Sequence, residues 1–220
     1  MTNLPTTGYT ADSANNFLLN AGAVVKNLEY TGGSWSFESL GATSGGSKLV
    51  LKNNLRQPEI DGVLSTLVGT DMIESSEATL EVNCVEHTVE NIKLALFAKS
   101  TTTNGVDYPE GYDVITPGAK ITKDHYLKNL AYVGTISGSD KPIIIILHNA
   151  ICTSGLEFEV KDKAEAIYPL AFAGRTNAGE NSQASLPVTI LYPNAGIMGA
   201  MQPLAANGLI DGLNPELGGE

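Results

Sequence analysis

Between Glu77 and Cys84 apolar and polar residues alternate without a break. Ala78, Leu80, Val82 and Cys84 fall on one side, and Glu77, Thr79, Glu81 and Asn83 on the other. Successive side chains of a strand point to opposite faces, so the pattern predicts a half-buried strand over residues 76–87 with an acidic outer face. Earlier in the chain, residues 17–25 predict a strand bent at Asn20, Ala21 and Gly22. The pair Gly32-Gly33 predicts a turn into a strand that carries Trp35 and Phe37 at alternate positions. Residues 40–47 are small and predict a turn, and residues 48–53 resume as a strand. Residues 62–75 predict a long excursion between strands, although Val63, Leu64, Leu67 and Val68 are too apolar for a freely solvated loop.

One helix stands out. Thr88 is its cap, Glu90 lies in its first turn where the macrodipole favours an anion, and Ile92, Leu94, Ala95 and Leu96 give it an apolar side up to about Lys99. Residues 100–118 predict a polar loop with Tyr108 and Tyr112. A meander follows, with strands expected at 119–122, 127–136, 142–151, 156–160, 165–173 and 186–191, separated by turn residues. Many short strands and one helix predict a mainly β fold, a sandwich or barrel with one flanking α-helix, in a single domain over residues 1–193. Residues 194–220 are Gly-rich and aperiodic, which predicts a flexible arm or one ordered by neighbours.

Charge sharpens this picture. The chain has 220 residues and a net charge of −11, and residues 57–92 contain eight carboxylates with no Lys or Arg. Nucleic acid adheres to proteins through cations that neutralise its phosphates, so an acidic face predicts a surface that polyanions leave alone. Charged residues make up only 17% of the chain, below the roughly 25% of an average soluble domain. Few charges and 23 glycines suit a surface that meets copies of itself. Aromatic residues are too sparse, at 6%, to favour stacking on sugars or bases.

Little in the chain supports chemistry. Residues 41–48, GATSGGSK, approach a phosphate-binding loop, but Ser47 and Lys48 are transposed relative to that motif and a strand follows where it needs a helix. His87, His125 and His148 are far apart and belong to no metal-ligand spacing. Asp107, Glu110 and Asp113 lack the spacing of a calcium loop. Cys84 and Cys152 read as small buried hydrophobes in a chain made in a reducing cytoplasm. Residues 1–9 lack the basic start and apolar run of a secretory signal, and no segment has the length of a membrane span. No enzyme, cofactor or metal is expected.

Four stretches together carry a resemblance: NAGAVVKN at 20–27, LGATSGG at 40–46, EATLEVNCVE at 77–86 with Ile60-Asp61-Gly62 before it, and AICTSGLEFEV at 150–160. In this order and spacing, across most of residues 15–192, the chain resembles the major tail tube proteins of tailed bacteriophages. The resemblance implies a β-sandwich or barrel with one helix, six copies in a ring, and rings stacked into a tube through which genomic DNA passes without specific binding. It implies Glu77, Thr79, Glu81 and Asn83 as lumen-lining residues, and Val63, Leu64, Leu67 and Val68 as a loop reaching the neighbouring ring. The partners implied are copies of the chain itself, a tail tip or baseplate, a tape measure protein and a tail terminator, with the virion as location and the host bacterial cytoplasm as place of synthesis. The competing readings are the inner tube of a contractile injection particle and, from another class, a non-enzymatic β-sandwich module for adhesion or glycan binding.

Overall fold

The computed structural model describes residues 7–177 and 186–194. The strands are β1 (Leu18–Thr31), β2 (Ser34–Ser39), β3 (Thr43–Arg56), β4 (Met72–Cys84), β5 (Lys99–Thr102), β6 (Asp113–Thr116), β7 (Leu127–Ile136), β8 (Ile143–Cys152), β9 (Tyr168–Ala173) and β10 (Val188–Leu191). The helix α1 (Val89–Leu96) completes a mainly β fold with one flanking helix, as the pattern predicts.

The main sheet is antiparallel, in the order β2-β1-β7-β8-β9-β4-β3, with β10 added on β8. β8 joins its two halves. Residues Ile143 to Ala150 pair with β7, whereas Ile151 and Cys152 pair with β9. Between the β10-paired and β9-paired parts of β8 lies Asn149 in the left-handed region, with φ 45°, and its amide donates to the Arg175 carbonyl at 2.9 Å. The sheet folds over here, so Val24, Leu130, Tyr132 and Leu147 of one half pack against Leu80, Val82, Leu170 and Phe172 of the other in one core. The form is a sandwich: among the described residues no ladder joins β2 to β3, so no closed barrel forms.

The alternation in β4 drives this packing. Ala78, Leu80, Val82 and Cys84 are all at most 4% exposed. Burying a side chain the size of Leu or Val stabilises by about 1.5–3 kcal/mol, so this face alone fixes which side of β4 turns inward. β1 has two irregularities, the first of them the predicted bend and the second, at Asn27, not foreseen from the sequence. Its register to β7 shifts between Leu19 and Ala23, where Asn20 and Gly22 both have positive φ. A Cβ on Gly22 would lie 2.5 Å from the Tyr132 ring, so only glycine fits. At Asn27, φ 52°, a second bulge is closed by side chains: Asn129 Oδ1 accepts the Leu28 N–H at 2.7 Å, and its amide donates to the Leu28 carbonyl at 2.9 Å.

The helix begins where predicted, with Thr88 Oγ1 accepting the Asn91 N–H at 3.2 Å, and ends at Phe97 in the left-handed region. Asn91 is buried and sews the helix to the ends of the strands. Its amide donates to the Leu40 carbonyl at 2.7 Å and to the Tyr168 hydroxyl at 3.2 Å, and Tyr168 in turn donates to the Glu86 carbonyl.

Several expected boundaries are corrected. The predicted turn at 40–47 is a strand from Thr43 on: β3 has already begun, and its register to β4 shifts between Thr43 and Ser47 around Gly45 and Gly46, so these glycines form a bulge inside a strand. β4 starts at Met72, which leaves 57–71 as the connection from β3 and takes the end of the 62–75 excursion into the strand. The polar loop 100–118 contains a hairpin, β5 paired with β6. Residues 119–122 form no strand, and 156–160 contribute only an isolated bridge between Glu159 and Ile167. The arm 194–220 lies outside the described residues except for Asn194.

Candidate functional site

The outward face of β4 carries Glu77, Thr79, Glu81 and Asn83, opposite the buried row. Register determines what stands beside them. Lys52 of β3 lies directly across from Glu77, Val50 across from Thr79, and Lys48 across from Glu81. On the other flank β9 sets Ala173, Ala171 and Pro169 against Thr79, Glu81 and Asn83. Lys48 Nζ is 3.3 Å from Glu81 Oε2. The outward face of β4 itself carries only carboxylates and neutral polar groups, as the alternation predicts, but β3 sets two lysines beside it: Lys48 pairs with Glu81, Lys52 stands in register with Glu77, and the formal charge of the four cancels. Such an exposed pair contributes about 0–1 kcal/mol, so it shapes the potential of the face more than the stability of the fold.

This face also holds a shallow cleft of about 300 Å³ lined by Gly45, Gly46, Lys48, Glu81 and Asn83. The glycine-rich stretch lies within β3 and leads into no helix, so no row of helix N-terminal amides is present to cradle a phosphate.

Beyond Ala78 the β3–β4 hairpin leaves the sandwich. No residue from Leu51 to Glu77 is buried. The arm is held by its own ladder, which continues to Arg56 and Met72. Side chains clasp it as well: the Asn54 amide donates to Ser75 Oγ at 2.9 Å, and Ser76 Oγ donates to Asn53 Oδ1 at 2.7 Å. It nevertheless presents Leu55, Met72 and Ile73 more than half exposed. At its tip, Leu64 and Val68 are fully exposed, and Val63 and Leu67 are 41% and 46% exposed. The two residue sets singled out in the sequence thus share one hairpin, with Glu77 at the base of the arm and the four aliphatic residues at its end.

The remaining candidates are scattered. His87 lies tilted over Tyr168 at 4.3 Å and meets Phe158 edge-on at 5.2 Å, His125 belongs to a capping box with Thr122, and His148 Nε2 is 2.8 Å from Thr189 Oγ1. Asp107 and Glu110 lie in the β5–β6 connection, and Asp113 accepts the Thr102 hydroxyl at 2.8 Å. Among the described residues no group of His, Cys, Asp or Glu side chains is arranged to hold a metal ion. Cys84 and Cys152 are free and buried in the sandwich core. Burial, with a smaller contribution from nearby Cys152, pushes the Cys84 thiol up to about 11. Burial likewise raises the Tyr168 hydroxyl. Among the described residues no helix is long and apolar enough to cross a membrane.

Lys52 is not singled out in the sequence, and Lys48 is weighed there only as part of a phosphate-binding loop. The period-2 spacing in KLVLK sets both on one face of a strand, but only the pairing with β4 places them beside Glu81 and Glu77.

No protein-family model matches this chain, and no curated protein matches it. Two of the solved chains similar to it come from gene transfer agent particles. One is from the tail of an empty gene transfer agent particle with C6 symmetry, at 13% identity and a TM-score of 0.38, covering 71% of this chain and 92% of that one. The other is from the virion of a native gene transfer agent particle, also at 13% identity and 0.38, covering 71% and 89%.

Proposed function

We propose that this chain is a self-assembling structural subunit of a phage-type tail tube: six copies form a ring, rings stack, and DNA crosses the lumen during ejection. The observation that carries the reading is the β3–β4 arm, which has its own hydrogen-bonded ladder and whose tip leaves four aliphatic side chains, Val63, Leu64, Leu67 and Val68, exposed. Covering Leu55, Leu64, Val68, Met72 and Ile73 at about 1.5–3 kcal/mol for a full side chain yields at most roughly 8–15 kcal/mol gross, less because Leu55, Met72 and Ile73 are already partly covered. Association costs about 4–15 kcal/mol, so one such contact alone is marginal and a repeated one is strong. That balance suits a polymer of rings better than a pair. An arm of this kind is an excess of exposed apolar surface for a chain that works alone.

In this reading the outward face of β4 and β3 is the channel wall. Glu77, Thr79, Glu81 and Asn83 share it with Lys48 and Lys52. The wall resists phosphate through charge cancellation and not through a ring of bare carboxylates: each lysine already faces a carboxylate, so contact with DNA would release few counterions. Tail tip or baseplate, tape measure and terminator proteins would meet the two ends of the tube. A contractile particle would use the same subunit inside a sheath.

Negative-stain microscopy of the concentrated protein tests the proposal. Rings or tubes of uniform diameter are expected. Monodisperse monomer at every concentration by light scattering, with no tubes after prolonged incubation, would sink it.

A further inference from the structure

Lys93, Lys99 and Lys120 line a cleft of about 720 Å³ beside the C-terminal end of α1, between the helix and residues 118–125. Leu94, Phe97 and Ala98 form its apolar part, and Glu90 and Asp124 are its only acidic lining residues. Glu90 is already paired with Lys93 at 3.1 Å. Among the described residues neither Lys99 nor Lys120 has an ion-pair partner, and both are exposed. In a chain of net charge −11, this is a place where cations outnumber anions around an apolar hollow. Its volume lies within the roughly 300–1,000 Å³ of cavities that seat a compact ligand.

The tip of the β3–β4 arm has the opposite character. Residues 57–71 contain Glu59, Asp61 and Asp71, no Lys or Arg, and the fully exposed Leu64 and Val68. Glu59 and Asp61 make no ion pair among the described residues. The tip cannot reach the cleft of its own subunit by a local movement. It leaves β4 at Met72, and α1 is bonded at the other end of the same strand, through Asn91 to the Leu40 carbonyl. At about 3.4 Å per residue, the 13 residues of β4 separate the two ends by about 40 Å.

We infer that the tip of the β3–β4 arm of one subunit docks in the α1 cleft of a second copy, with Leu64 and Val68 against Leu94 and Phe97, and with Glu59 and Asp61 beside Lys99 and Lys120. Donor and acceptor surfaces lie at opposite ends of one strand, so the contact is head-to-tail. A heterologous contact of this kind leaves a free tip and a free cleft after every addition, and so propagates. The inference deepens the tube reading by naming the axial contact and giving the tube a polarity.

Two full-length variants test it: Lys99→Glu with Lys120→Glu, and Glu59→Lys with Asp61→Lys. All four residues are exposed, so both variants are expected to keep the parent circular dichroism spectrum and melting profile. In sedimentation velocity each alone should lose the polymer boundary, since its tips and clefts now carry like charges. An equimolar mixture should recover it, because the acidic tip of the first variant fits the basic cleft of the second and the basic tip of the second fits the acidic cleft of the first. Polymer from either variant alone at the parent concentration would overturn the inference and leave the tube reading standing. Loss of polymer without recovery on mixing would assign the cleft to a different occupant, which also overturns it. A parent protein that is monomeric throughout would overturn both.

Discussion

Asn91 is the residue whose removal the structure prices most directly. Its side chain is 1% exposed, and its amide holds the start of α1 against the strand ends. Asn91→Ala strands the Leu40 carbonyl in the interior. An unpaired buried acceptor costs about 1–3 kcal/mol, and the lost bond to the Tyr168 hydroxyl removes about 1 kcal/mol more. Alanine returns roughly 0.5 kcal/mol through its higher helix propensity. The net expectation is a loss of about 1.5–3.5 kcal/mol. With a urea dependence of roughly 1–3 kcal/mol per M, the unfolding midpoint should fall by about 1 M. The assay is urea unfolding followed by circular dichroism, at protein concentrations low enough that assembly does not contribute. Thr88→Ala, which removes only the helix cap, serves as the internal scale at about 1 kcal/mol. If Asn91→Ala shifts the midpoint no more than Thr88→Ala, the amide is not the anchor that the geometry makes it, and the account of how α1 is fixed fails.

Leu64→Asp with Val68→Asp should leave the unfolding midpoint within about 0.5 kcal/mol of the parent, because both side chains are already solvated, while abolishing tubes in electron micrographs; tubes of normal length would refute the role of the tip. Glu77→Lys with Glu81→Lys changes the outward face of each subunit from formally neutral to +4 and places lysines opposite Lys52 and Lys48. The expected fold penalty is about 0.2–1 kcal/mol per cross-strand pair. DNA should be retained in the tubes at low salt and released at high salt, and unchanged passage at low salt would remove this face from the channel wall. Cys84 should resist thiol reagents at pH 8 until the protein unfolds, since its thiol is pushed up to about 11. The sign for stability follows: the unfolded thiol ionises near 9, so its contribution is intact below that pH and declines from about 9 to about 11. Rapid labelling of the native protein at pH 8 would contradict the burial.

The parts of the fold legible in the sequence are those in which one short segment carries its own pattern. Ala78, Leu80, Val82 and Cys84 spell out β4 because burial of one face leaves a period of two, and Thr88 with Glu90 marks the helix start because capping is local. β5 and β6 escaped notice since KSTT and DVIT have no apolar alternation and are strands by virtue of pairing with each other. The reverse holds for 119–122 and 156–160, where Ile121, Phe158 and Val160 suggest strands but stand at least half exposed, with no pairing beyond the single bridge from Glu159 to Ile167. The candidate site divides in the same way. The apolar tip was readable from composition. The charge balance of the β4 face was not, because it depends on Lys48 and Lys52 arriving at Glu81 and Glu77 from a separate strand, and register across a bulged hairpin is a property of two segments together.

β4 is hydrogen-bonded to β3 on one side and to β9 on the other. Tension applied along its length, from the tip of the arm towards the helix, would load those two ladders in shear, so that many bonds share the force and must yield together. A pull across the strand would open them one after another. The domain is thus built with a stiff direction and a weak one, and the stiff one runs along the strand from which the arm extends.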